Sequence, residues 1–325
     1  IEEILQEQTS IKVETRALPK EEVIAQQSLI LLETDAPLIP ELEKAKVTEL
    51  LENFVMSVSA MNAYMRCPLS FHYEYVLRIP SVPNEAATYG TAIHNALRRL
   101  FDKMLADPEK AFPEVEEFVL DFASEMKRRR HYFSKSGYAR RMRMGKKNLT
   151  LYYQQHIKKW SKTVMPEMDV RNVELQGVPM KGALDKVVIQ DKQTVKIVDY
   201  KTGSLSDKKM KPPTKKDLEG GIYWRQLYFY KILFEQYRNQ TRRVGSAEIA
   251  YLETDRDKNF PTSVMMFNDE HELLVKQMIV ETYQKIKAHD FYEGCGKDTC
   301  KWCNFARRNI MVDSFTDEDA GDLDD

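Results

Sequence analysis

Two β-rich runs joined by a short polar turn form the clearest hydrophobic pattern in the chain. Apolar residues concentrate in residues 184–189 and 195–198, and residues 191–193 between them have the polar character of a hairpin turn. Each run carries an acid where a buried strand would be apolar: Asp185 in the first and Asp199 at the end of the second. The pattern predicts a β-hairpin that holds two carboxylates.

Helical and strand periodicities predict further elements on both sides of this hairpin. Helices are predicted after Ser57 or Ser59, from Pro68, along the apolar stripe of residues 93–101, and over residues 222–237 and 270–288; strands are predicted over residues 247–252 and 263–267. In the helix over residues 222–237, Gln226 and Tyr230 are four positions apart, so they are neighbours on one helical face.

Charge is distributed unevenly along a chain of 325 residues whose formal net charge is only −1. A hydrophobic content of 42% with 30% charged residues describes a globular protein with a core. No apolar run approaches the roughly 20 residues of a membrane span, and no signal peptide is visible. We interpret the acidic residues 1–55 as a linker or wrapping arm, and residues 311–325 as a disordered tail. The start at Ile1 suggests a piece of a longer polypeptide.

The hairpin acids have a third charged neighbour. Lys201 follows Asp199 by two residues, so strand alternation places both side chains on one face of the sheet. Paired carboxylates are hard oxygen ligands of the kind that hold Mg²⁺, and a nearby ammonium can orient a water or offset developing charge. A surface hairpin with an ordinary Asp–Lys pair is the alternative that the hairpin alone leaves open.

Residues 127–147 carry ten Lys or Arg residues and no acid, interleaved with aromatic residues. Such a block suits a phosphate backbone and stacked bases, although a solvated helical face is the plainer alternative. A second basic loop spans residues 208–216. The candidate nucleic-acid-binding residues of the block are Arg128, Arg129, Arg130, Arg140, Arg141, Arg143, Lys146 and Lys147.

Three of the four cysteines crowd into the spacing Cys295-x4-Cys300-x2-Cys303. This spacing is typical of metal or cluster ligands in a reducing compartment, and it does not resemble a disulfide framework. Taken alone, Cys67 is best explained as a small buried hydrophobe. His94 lies at the edge of an apolar helical stripe, where it is either structural or a metal ligand.

Taken in order, several motifs resemble the PD-(D/E)XK nucleases of the RecB/AddB type. They are SxSxxNxYxxCPxxFxYxY at residues 57–75, YGTAIH at 89–94, GALDK at 182–186, VDYKTG at 198–203, QLYFY at 226–230, and the terminal cysteines. The resemblance covers most of the chain, from about residue 57 to residue 305. It implies that His94, Asp185 and Asp199 are metal ligands and that Lys201 is the catalytic lysine. It also matches Gln226 and Tyr230 to a QxxxY motif associated with the site and with DNA.

The same resemblance implies a [4Fe–4S] cluster held by Cys67 and the three late cysteines. The iron–sulfur relatives end in CxxC-x5-C, whereas here Asn309 stands at the last position. Cys295 could supply the missing thiolate, and because four cysteines are what a cluster requires, we favour its retention. Zinc or a vacant site remains the alternative.

The fold that the resemblance implies is α/β, a restriction-endonuclease-like core over residues 56–310 with a small mixed sheet flanked by helices and an N-terminal arm. The expected function is Mg²⁺- or Mn²⁺-dependent exonucleolytic cleavage of DNA, by the nuclease domain of an AddB/RecB-like helicase–nuclease complex in double-strand break repair and recombination. No phosphate-binding GxxxxGKS/T loop is present, so a helicase module or partner subunit is expected, in the cytoplasm. The alternatives are a free-standing iron–sulfur exonuclease of the CRISPR-adaptation type and a catalytically silent DNA-end-binding module.

Overall fold

A five-stranded mixed sheet forms the centre of the molecule. The computed structural model describes Pro19 and residues 37–80 and 84–308. The strands are β1 (Val164–Leu175), β2 (Val178–Ile189), β3 (Thr194–Lys201), β4 (Arg243–Tyr251) and β5 (Thr262–Met266). They lie side by side in chain order, with β3 and β4 parallel and the other neighbouring pairs antiparallel. The expected α/β fold with a small mixed sheet is confirmed.

Helices cover this sheet on both faces. In chain order they are α1 (Lys44–Leu50), α2 (Val58–Arg66), α3 (Pro68–Phe71), α4 (Glu85–Ala106), α5 (Val115–Arg128), α6 (Lys135–His156), α7 (Ile222–Gln236), α8 (Asp269–Lys287) and α9 (Lys301–Arg308). A π-helical turn, His72–Val76, continues α3. None of the described helices combines the length and the hydrophobicity that a membrane crossing would require.

Strand alternation divides the sheet between two cores. Val195 and Ile197 of β3 belong to a core shared with α2, α7 and α8. Val198 and Tyr200 belong to the opposite core, shared with α4, α5 and α6. Successive side chains of a strand point to opposite faces, so β3 contributes to both layers. By the same alternation, Asp199 and Lys201 lie on the face of β3 that also carries Val195 and Ile197.

The predicted hairpin is confirmed as β2 and β3. The backbone pairing between the two strands runs from Ile189–Val195 to Lys186–Val198. Beyond that pair, the Asp185 side chain accepts a hydrogen bond from the backbone N–H of Tyr200, with an O···N distance of 2.7 Å. A partly buried carboxylate thus satisfies a donor at the point where the backbone pairing of β2 with β3 ends.

The structure also contains a long strand, β1, that the hydrophobic pattern did not predict. Its alternation is broken by a register shift between Val170 and Val173, and many of its side chains are at least partly exposed. A bulge moves side chains to the other face, so the two-residue period is lost. The other predicted elements are confirmed, although α4 begins at Glu85 and β2 at Val178, each several residues before the apolar run that predicted it.

Part of the predicted acidic arm packs on the segment that follows α8. The Ile39 N–H donates to the carbonyl oxygen of Tyr292 at 3.1 Å, and Leu38 forms an isolated antiparallel bridge with Glu293. The interpretations given for residues 1–36 and 311–325 lie outside the described residues, apart from Pro19.

Candidate active site

The six predicted catalytic residues line one cavity of about 330 Å³. It lies where α4, β2, β3 and α7 meet. The six are His94 from α4, Asp185 from β2, Asp199 and Lys201 from β3, and Gln226 and Tyr230 from α7. Residues far apart in the chain are therefore brought together in a single concave site, the arrangement expected of a binding or catalytic centre.

His94 and Asp185 join helix α4 to strand β2. The Nδ1 atom of His94 lies 3.1 Å from Oδ1 of Asp185, and because an ionised carboxylate can only accept, the Nδ1–H of the histidine donates. Ile93 and Leu97 on the neighbouring faces of α4 are buried in the core, which fixes the helix and leaves His94 at its cavity edge. Burial alone would raise the pKa of the Asp185 carboxyl. The interactions with His94, the Tyr200 N–H and the Lys201 charge outweigh burial and hold that pKa below its usual value.

Asp199 and Lys201 form the second half of the site. Both side chains are almost fully buried, and the Lys201 Nζ atom lies 3.4 Å from Oδ2 of Asp199. Lys201 also lies over the ring of Tyr223, 4.9 Å from its centroid. The face-sharing that strand alternation predicted for this pair is confirmed, and the buried setting is unlike that of a surface hairpin.

Gln226 connects this pair to helix α7. Its Nε2 atom donates to Oδ1 of Asp199 at 3.2 Å and to the hydroxyl of Tyr230 at 2.9 Å. Burial, together with the nearby Asp199 charge, raises the pKa of the Tyr230 hydroxyl well above its usual value, so the phenol stays neutral. The amide of Gln226 therefore fixes the orientation of a carboxylate and a neutral phenol at once.

Two charged residues that sequence reasoning did not single out also line the cavity. Arg98 and Glu167 form an ion pair with an N···O distance of 2.7 Å. Arg98 follows His94 by four residues, so helical spacing could have identified it. Glu167 has a positive φ of 42° in the irregular strand β1, and nothing in the local sequence pattern indicates its position.

The predicted basic block is divided among several structures. Arg128 and Arg129 pair with the fully buried carboxylate of Glu125. Arg130 donates to the carbonyl of Phe133 at 2.8 Å, and Arg141 is itself buried. The remaining candidates, Arg140, Arg143, Lys146 and Lys147, are exposed on α6.

Helix α6 carries no Asp or Glu residue, so the solvent-facing side that these four residues form has a single sign of charge. We call these four residues the basic face. The N-terminus of α6 contacts the start of α4: the Ser134 hydroxyl donates a hydrogen bond to the Glu85 carboxylate at 2.7 Å. The same helix α4 presents His94 to the cavity about two turns farther on.

The four cysteines meet although most of the chain separates Cys67 from the others. Their sulfur atoms all lie within 4.8 Å of one another. Cys67 lies between α2 and α3, Cys303 belongs to α9, and Cys295 and Cys300 lie in the preceding loop. A hydrogen bond from the Cys67 thiol lowers the pKa of Cys300 to about 4, while the same bond and burial raise the pKa of Cys67. The predicted convergence of these residues is confirmed.

The donor atoms of the two centres suit different metals. At the cavity, the Asp185 and Asp199 carboxylates are hard oxygen ligands, which fit Mg²⁺ or Mn²⁺. At the other centre, four thiolates are soft ligands, which fit zinc or iron. The chain therefore offers two chemically distinct candidate metal sites.

A family model of the PD-(D/E)XK nuclease superfamily matches residues 55–308, more than three quarters of the chain. The chain belongs to this superfamily. No match was found among curated proteins.

Among solved structures, the chain is similar to a protein from Eubacterium rectale that is provisionally named an exonuclease. The TM-score is 0.50 at 12% identity, covering 88% of this chain and all of the other. At that identity the similarity supports the fold alone. The structure of SSO0001 gives a TM-score of 0.27 at 15% identity, covering 58% of this chain and 85% of the other, and carries no argument.

Proposed function

We propose that this chain is a Mg²⁺- or Mn²⁺-dependent exonuclease that hydrolyses DNA phosphodiesters at the cavity between α4, β2, β3 and α7. One observation carries the proposal: Asp185 and Asp199 line the same cavity as Lys201. Membership of a nuclease superfamily supports the reaction class. The residues that would hold the metal are His94, Asp185 and Asp199, and a metal bound there would polarise the scissile phosphodiester.

Charged groups of the protein keep Asp185 ionised and place an ammonium group beside Asp199. Asp185 stays ionised at neutral pH because His94, Lys201 and a backbone N–H stabilise its charge. The Lys201 ammonium, close to Asp199, can donate a hydrogen bond to the attacking water or to a phosphoryl oxygen. Such a fixed donor stabilises the negative charge that develops during phosphodiester hydrolysis without having to reorganise.

Gln226 and Tyr230 act as positioning residues in this proposal. Because Gln226 donates to both Asp199 and Tyr230, it restricts the rotation of the carboxylate and keeps its oxygens aimed into the cavity. The basic face of α6 binds the DNA backbone in the same proposal, since its four exposed cations meet no acid on their own helix.

We also propose a specific biological setting for this reaction. The ordered motifs resemble those of AddB/RecB-like proteins, so we propose that the chain is the nuclease domain of a helicase–nuclease complex that processes DNA ends in repair and recombination. A helicase module or subunit is its proposed partner, and the cytoplasm is its proposed location. The cysteine centre takes no part in the hydrolysis.

The test is a nuclease assay on linear DNA labelled along its length, with Mg²⁺, Mn²⁺ or EDTA, and with circular DNA labelled in the same way as a second substrate. We expect metal-dependent release of label from linear DNA only. The variant Asp199→Asn should lower the rate by at least about a hundredfold while circular dichroism stays unchanged. The matched control is Asp169→Asn, which alters an exposed carboxylate of strand β1 and should leave the rate unchanged.

Two outcomes would count against the proposal. Binding of DNA ends without cleavage under any metal would favour the catalytically silent end-binding module. Complete degradation of long duplex DNA by the chain alone would favour the free-standing exonuclease, because the proposed complex relies on a motor to supply unwound strands.

A further inference from the structure

The spacing of the four cysteine sulfurs identifies what kind of metal group fits between them. The Sγ atoms of Cys67 and Cys303 are 3.7 Å apart, and those of Cys295 and Cys303 are 3.8 Å apart. Cys300 completes a group in which every sulfur lies within 4.8 Å of every other. All four are reduced cysteines, and the distances are far longer than the roughly 2.05 Å of a disulfide bond.

These distances match a single tetrahedral ion. Zinc binds cysteine sulfur at about 2.3 Å, and in a regular tetrahedron the ligands then stand about 3.8 Å from one another. In a [4Fe–4S] cluster each thiolate binds a different iron, so the four sulfurs surround a whole cage of atoms and must lie much farther apart. The iron–sulfur group that the resemblance implies does not fit the observed spacing. We propose that Cys67, Cys295, Cys300 and Cys303 bind one zinc ion in a closed, structural site.

The backbone around the sulfurs is shaped for such a compact site. The Cys295 N–H points at the Sγ atom of Cys67, 3.3 Å away, and such amide donors stabilise a thiolate. A Cβ atom at Gly294 would lie 2.7 Å from the Cys303 sulfur, so only glycine lets the chain pass that close. Gly296 has a φ of +72°, the left-handed region that glycine favours, which turns the chain directly after Cys295.

The surroundings indicate a structural role for the ion. Four protein ligands fill a tetrahedral ion, which leaves no open position for a substrate. The Trp302 ring stacks on Tyr73 with centroids 4.6 Å apart, and its Nε1 donates to Glu74 at 2.6 Å. Tyr73 and Trp302 form a small core with Leu69, Cys67 and Cys303, separate from the two main cores. Zinc would therefore attach the short helix α9 to the turn that begins at Cys67, and part of its binding energy would stabilise the fold.

The departure at Asn309 is consistent with this assignment. Asn309 offers no thiolate, whereas Cys295, in the loop before α9, places its sulfur among the other three. With Cys295, the three late ligands fall within nine consecutive residues and surround a small space.

The test measures metal content in the full chain, purified anaerobically from cells supplied with both iron and zinc. Elemental analysis should find one zinc per chain, with no inorganic sulfide and no brown visible absorbance. Replacing the zinc with Co²⁺, which adopts the same tetrahedral geometry, should give the visible absorption bands of tetrahedral cobalt–thiolate coordination. Removing the zinc with a chelator should lower Tm by at least about 5 °C.

Variants separate the cysteine site from the nuclease site. Cys300→Ser should lose bound zinc, whereas the matched control Thr299→Ala, which alters the exposed neighbouring residue, and the cavity variant Asp199→Asn should both keep it. Because Cys300→Ser also weakens the fold in this proposal, the metal content of the unmodified chain decides the question. Iron with inorganic sulfide, a single iron without sulfide, or no metal at all would each overturn the proposal, and none of these results would affect the proposed nuclease activity.

Discussion

Gln226 donates a hydrogen bond from Nε2 to Oδ1 of Asp199 at 3.2 Å, which links the aromatic helix α7 to the end of strand β3. Both residues are buried. A buried amide that holds a carboxylate in this way fixes the carboxylate's rotamer when the chain folds. Little further conformational entropy is then lost when the reaction takes place. The contact suggests that Gln226 acts on catalysis through Asp199.

We therefore expect Gln226→Ala to lower kcat by about 10- to 100-fold, because the Asp199 carboxylate loses its fixed orientation. KM for DNA should change little. The matched control is Gln236→Ala, which removes an exposed glutamine at the end of the same helix and should leave both constants unchanged. Steady-state kinetics on labelled linear DNA measures the effect, and equal constants for both variants would show that Gln226 is only structural.

The basic face predicts how DNA affinity depends on salt. Replacing Arg140, Arg143 and Lys147 by Glu should weaken binding and reduce the slope of log K against log salt by about 0.7–0.9 for each phosphate that is no longer neutralised. The control is a charge reversal at Lys158 and Lys159, which are exposed beyond the C-terminal end of α6. Binding titrations at several salt concentrations test this, and an unchanged slope would make the basic face an ordinary solvated surface.

The buried carboxylate of Glu125 predicts a large effect on stability. Its partners include Arg99, with an N···O distance of 2.5 Å, and Arg129. Glu125→Ala should lower the free energy of unfolding by about 1.5–3 kcal/mol, because the partly exposed arginines lose their hydrogen bonds to a buried carboxylate. Glu117→Ala, on the same helix as Glu125, breaks a largely exposed ion pair with Lys103 of α4 and should cost less than about 1 kcal/mol. Urea unfolding measures both, and equal effects would contradict the prediction.

His72 predicts a pH dependence of stability. Burial among aromatic rings, including those of Phe291 and Tyr292, lowers its pKa to about 4. Because the unfolded chain protonates this histidine near pH 6.5, its contribution to stability is complete above that pH. As the pH falls from 6.5 toward 4, this contribution is lost, and the free energy of unfolding decreases by about 3 kcal/mol in total.

The variant His72→Phe removes the titrating group while keeping an aromatic ring. We expect its unfolding free energy to depend less on pH than that of the unmodified chain between pH 6.5 and 4. Urea unfolding at several pH values measures the difference. Two parallel pH profiles would show that His72 does not titrate on unfolding.

Local periodicity was sufficient for the parts of the site that lie within one element. Asp199 and Lys201 share a face because a strand repeats every two residues, and Gln226 and Tyr230 are neighbours because a helix repeats every 3.6. These relationships follow from the backbone geometry of each element, so the sequence alone determined them. The order of the motifs likewise indicated the nuclease superfamily that the family match shows.

Tertiary packing decided everything that joins distant elements. His94 and Asp185 are 91 positions apart, and only the packing of α4 on β2 brings them within 3.1 Å. The basic block shows the same limit, because only the contact with Glu125 distinguishes Arg129 from the exposed Arg140. The cysteine pattern indicated a metal centre, but the spacing of its sulfurs depends on how α9 packs beside α3. Such distances depend on contacts between residues far apart in sequence, which no local pattern of hydrophobic and polar positions encodes.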